Sequence, residues 1–161
     1  MNQDDEVRAT VARVLDAIMR EEESETAEPL MWFADTGIAG LHDAVTELGW
    51  AAAGMITALH APEDDVFAMT AMTDHDDVDV TIDDCTPSLR AATRILLALV
   101  NGRPADAELQ WAIVGDSEPA DLPEVFLHLA MWTLHILDLA DAAGLTHSAV
   151  PGWLRHLCVQ N

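Results

Sequence analysis

The chain has 161 residues, 50% of them apolar, and a formal charge of −22 from seven arginines against 29 acids, with no lysine. That length fits one domain with a substantial core and needs no staple. The charge argues against direct nucleic-acid binding, which depends on neutralising phosphates with basic side chains, and against anionic membrane surfaces.

The first residues, 1–6, read as a flexible acidic lead without the apolar stretch of a signal peptide. Val7, Val11, Val14, Leu15 and Ile18 then repeat at the helical period and predict a helix from about Asp4 to Glu23. The run over 21–29, closed by Pro29, reads as a charged linker. Its acids would oppose the macrodipole at the end of the first helix and fray it. A second helix is expected from about Thr36 to His60. Leu41, Val45, Leu48, Ala52, Met55 and Leu59 alternate steps of four and three, the pattern of a packed helix. Gly40, Ala44, Ala51, Gly54 and Ala58 add small residues that let a neighbouring backbone come close. This helix should sit at the centre of a bundle.

An acidic insertion spans 62–86, expected as a hairpin, with a short helix over its first part as the alternative. Beyond it, Thr86 and Pro87 form an N-cap and first position for a third helix, which Asn101-Gly102 stops. Pro104 opens a fourth helix that runs to Gly115. A fifth runs from about Asp121 to Ala143 and ends at Gly144, and a last covers Ser148 to Val159. The predicted fold is a mainly α single-domain bundle of five or six helices, with a small acidic β-hairpin between the second and third. No apolar run reads as long enough to cross a bilayer, so the expected location is the cytoplasm. Cys85 and Cys158 match no metal or redox spacing and read as reduced thiols.

The stretch DHDDVDVTIDD, 74–84, holds six aspartates. Val78, Val80 and Ile82 alternate with Asp77, Asp79, Thr81 and Asp83, the two-residue period of a half-buried strand. One face would then carry a row of carboxylates. The row is not an EF-hand: counting from Asp77, Ile82 stands where the loop needs glycine and Ser88 where it needs glutamate. A solvated acidic face is the simpler reading. Arg90 and Arg94, four apart on the third helix, are placed to pair with this row.

On the fifth helix Glu124, His128, His135 and Asp138 fall on one narrow stripe, either facing solvent or built into a site inside the bundle. His128 and His135 are about 10.5 Å apart along the axis, too far to share an ion. A metal site would need help from His42 and Asp43. The chain lacks the Glu-x-x-His pairs of di-iron bundles. It shares only His-Asp doublets with the HD phosphohydrolases. It does not fit the helical pyrophosphohydrolases, and it has no P-loop, dinucleotide fingerprint or Gly-x-Ser-x-Gly.

The expected function is a non-enzymatic acidic module that binds a basic protein, of the immunity, antitoxin or nucleic-acid-mimic inhibitor type. The residues expected to carry it are Asp74, Asp76, Asp77, Asp79 and Asp83, with Trp50 beside Glu47 as an aromatic anchor. No cofactor is required by this reading. The first alternative is a metal-dependent helical hydrolase using His42, Asp43, His128 and His135. The second is a scaffold or oligomerising protein whose acidity serves solvation.

Overall fold

Three acids, Asp4, Asp5 and Glu6, occupy the first turn of α1 (Gln3–Met19), where they complement the positive pole of the helix. The structure is a computed structural model that describes residues 3–20, 23–60, 67, 72–73 and 79–160, with backbone alone for 23–34, 72–73, 79–80 and 159–160. The remaining elements are α2 (Glu23–Leu59), a two-residue strand pair, a 3-10 turn (Ile82–Asp84), α3 (Pro87–Val100), α4 (Pro104–Ser117), a second 3-10 turn (Pro119–Asp121), α5 (Leu122–Ala142) and a C-terminal 3-10 helix (Gly152–Gln160). The protein is a mainly helical bundle.

Helix α2 is its hub. It packs on α1, α3 and α5, while α4 lies against α3. Its inner face is made of the residues that the period picks out: Leu41, Val45, Leu48, Ala52 and Met55 are all buried. Around them Leu15, Phe126, Leu129 and Leu137 are nearly without solvent contact. Each such side chain contributes about 1.5–3 kcal/mol of burial. Gly49 is a close-approach point. A Cβ there would meet Leu99 Cδ1 at 2.5 Å, so a side chain at position 49 would force the Leu99 side chain to shift.

Local punctuation sets the element ends. The Thr86 hydroxyl accepts from the Leu89 amide at 3.4 Å, and Pro87 follows at the first helical position. Asn101 caps the far end of α3, and Gly102 takes φ 67° beyond it. Asn101 also reaches across the chain. It accepts from the Phe67 amide at 2.7 Å and donates to the Phe67 carbonyl at 2.9 Å, tying the insertion to the bundle. Gly144, at φ 72°, closes α5.

Several expectations are corrected. Residues 3–6 are the first turn of α1, not a flexible lead, and α1 ends at Met19. The segment expected as a linker is helical from Glu23. Glutamate and alanine favour helix, and the acids here begin the next helix instead of opposing the end of the last. The predicted start near Thr36 survives as a kink: Gly37, at φ 67° and ψ −158°, interrupts α2. The last element is a 3-10 helix that starts only at Gly152. Pro151 disfavours helical geometry at Val150, which delays the start. The segment 119–142 is, by length and composition, long and apolar enough to cross a membrane, contrary to the reading of the sequence, yet 44% of its apolar 18-residue window is buried within the bundle.

In the insertion, Met72–Thr73 pairs antiparallel with Asp79–Val80, with Met72 opposite Val80 and Thr73 opposite Asp79. The strand period ends there. Ile82–Asp84 form a 3-10 turn in which the Thr81 hydroxyl donates to Asp84 Oδ2 at 2.7 Å. Asp74, Asp76 and Asp77 lie outside the described residues, as does the side chain of Asp79.

Candidate protein-interaction surface

The outward stripe of α2 runs through Asp43, Glu47, Trp50 and Gly54, residues three or four apart that share a helical face. Trp50 is 46% exposed. A large indole held that far into solvent, on a helix whose other face fills the core, is the unusual feature of this surface.

Both flanks of the stripe are fixed. Toward α1, Arg8 grips Glu47 with a two-pronged contact, Nε to Oε2 at 2.8 Å and Nη2 to Oε1 at 3.1 Å. The Glu47 partnership raises the Arg8 pKa further above its ordinary value. Gln3 donates to Asp43 Oδ2 at 3.1 Å. Toward α4, His42 Nε2 lies 2.8 Å from Glu108 Oε2, and the His42 ring packs on Trp111 with centroids 5.3 Å apart. Between these elements, Trp50, Trp111, Val45 and Leu99 line a cavity of about 30 Å³, room for about one water. Trp50 is therefore flanked by the Arg8–Glu47 pair toward α1 and the His42–Glu108 contact toward α4.

Asp83 is exposed but engaged. Its carboxylate accepts from Arg94 at 3.1 Å, and its carbonyl accepts from Arg90 at 2.6 Å. Arg90 also donates to the carbonyls of Ile82 and Cys85. The two arginines thus pair with the acidic segment and hold its end against α3.

The four histidine and aspartate positions considered for a metal separate into two places. His42 faces α4 and the adjacent Asp43 meets Gln3 of α1, whereas His128 faces the start of α3 and His135 is exposed. Among the described residues no three His, Cys, Asp or Glu side chains come together as a metal site. Of the stripe on α5, Glu124, His135 and Asp138 are exposed and His128 is half-buried.

A cluster that the sequence did not reveal joins α3 to α5. Ser88, fully buried at the second position of α3, donates to Glu124 Oε2 at 2.9 Å and lies 3.5 Å from His128 Nε2. Burial lowers the His128 pKa below its ordinary value, and Glu124 partly opposes this. The arrangement resembles a catalytic pair only in its residue types. A serine nucleophile gives its proton to the base and needs access to substrate. Ser88 gives its proton to the carboxylate and has no exposed surface, so the cluster fastens two helices.

Comparison of the chain with known protein families, with curated proteins and with solved structures gave no match.

Proposed function

We propose that this protein is a non-enzymatic acidic module that binds a basic protein surface through the acidic segment around 74–83 and the Trp50 stripe. The observation that carries the reading is where the positive charge goes. Arg8, Arg20, Arg94 and Arg103 lie in ion pairs with Glu47, Asp16, Asp83 and Asp106. Arg90 and Arg155 donate to backbone carbonyls. Six of the seven arginines thus have partners within the chain, and the formal net charge of the whole chain is −22. A field of that sign raises the encounter rate with a basic partner and weakens with salt. Trp50 then supplies what charge alone lacks, an apolar anchor that also attracts a cation to its ring face.

The test replaces Asp74, Asp76, Asp77, Asp79 and Asp83 with asparagine. The expected result is weaker binding to the basic partner, mainly through slower association, with no more than about 1 kcal/mol of stability lost with the exposed Arg94–Asp83 pair. Unchanged affinity would remove the acidic segment from the proposal.

A further inference from the structure

A second surface of the molecule is mixed in charge, with two arginines and two aspartates. Between α1 and the C-terminal 3-10 helix lies a groove of about 570 Å³, within the range of small-molecule sites. Trp153 forms one wall, Ala9 and Ala12 contribute apolar surface, and Arg13 and His156 also line it. Arg8 is paired with Glu47, and Asp16 pairs with Arg20 through Oδ2 at 2.8 Å while its Oδ1 is buried without a hydrogen-bond partner; Asp5 also lines the groove. Arg13 differs. It is exposed, and it donates to the neutral Thr10 hydroxyl at 3.3 Å. A guanidinium has more donors than one hydroxyl can use, in a fork that fits a carboxylate. His156 is exposed beside the same groove.

From this geometry we infer that the groove binds a small aromatic carboxylate, with the ring against the Trp153 indole and the carboxylate on Arg13. The walls are well founded. Leu154 and Leu157 of the 3-10 helix have no exposed surface, and Arg155 secures the helix start by donating to the carbonyls of Val150 and His147. The negative field of the whole molecule opposes any anion, but salt screens it beyond about 8 Å at physiological ionic strength. Contact with Arg13 is direct, and it has to outweigh Asp5 and Asp16 in the same groove. The groove shares Arg8 with the flank of the Trp50 stripe, whereas Arg13 and Trp153 lie off that stripe.

The test is an NMR titration of the full-length protein with benzoate, following the indole N–H signals, with Trp153→Phe assigning the relevant one. Benzoate should shift the Trp153 signal saturably. Benzylamine, with the same ring and the opposite charge, should not, and inorganic phosphate should leave the indole signal in place. Arg13→Gln should weaken benzoate about tenfold, the loss of one charge-assisted contact. Absence of a saturable benzoate shift would overturn the inference. So would an equal response to benzylamine, a phosphate-induced indole shift, or benzoate affinity unaffected by Arg13→Gln.

Discussion

The two faces of α2 obey different rules. The inner face is small and apolar, with Ala44, Leu48, Ala52 and Met55 buried against α1, α3 and α5. There the neighbours dictate volume. The outer face carries Asp43, Glu47 and Trp50, and its shape is set by contacts on its flanks. One helix thus holds the bundle together and presents the surface on which the proposed function rests. A residue's direction around the axis, more than its place along the chain, decides which task it serves.

Substitutions on the two faces should therefore differ in size and even in sign. Leu48→Ala should cost most, about 2–5 kcal/mol in urea unfolding, because a fully buried side chain leaves a cavity. A loss well under 1 kcal/mol would mean that the inner face is not packed as described. The paired glycines give a sharper contrast. Gly49→Ala should destabilise by about 1–3 kcal/mol, since the new methyl must displace Leu99. Gly54→Ala meets nothing within 4 Å and should stabilise by about 0.5–1 kcal/mol through helix propensity. Equal effects at the two positions would break the distinction between the faces.

The smallest effect belongs to the contact between α3 and α5. Burial lowers the His128 pKa in the folded state, so the unfolded chain binds this proton more readily. The stabilisation from neutral His128 is present above the unfolded value, near 6.5, and is lost as pH falls through it toward the lower folded value. Thermal melts between pH 7.5 and about 5.5 should show a decline that His128→Asn flattens. An identical decline in the variant would assign it to other groups.

What could be read in the sequence was local. Thr86-Pro87, Asn101-Gly102 and Gly144 mark element ends through the conformations of a few neighbouring residues, and the structure uses all of them. The apolar period of α2 also identified its inner face. The charged run over 21–29 misled because its proline was read as a stop, whereas its glutamates and alanine favour helix. The sites were less legible. His42 meets Glu108 across 66 residues of sequence, and Ser88 meets Glu124 across 36. No periodicity within one helix reveals which side chain of another will face it. The exposure of Trp50 was signalled by Glu47 one turn away, but the His42–Glu108 contact toward α4 was not.

The most direct test of the proposed function is a pull-down at graded salt from lysate of the native host. Wild type, Trp50→Ser and the five-asparagine variant would be run side by side, with retained proteins identified by mass spectrometry. The account predicts one basic protein, held by wild type at low salt, released as salt rises and weakened in both variants. Retention indifferent to salt and to both sets of substitutions, or no basic protein retained at all, would contradict it.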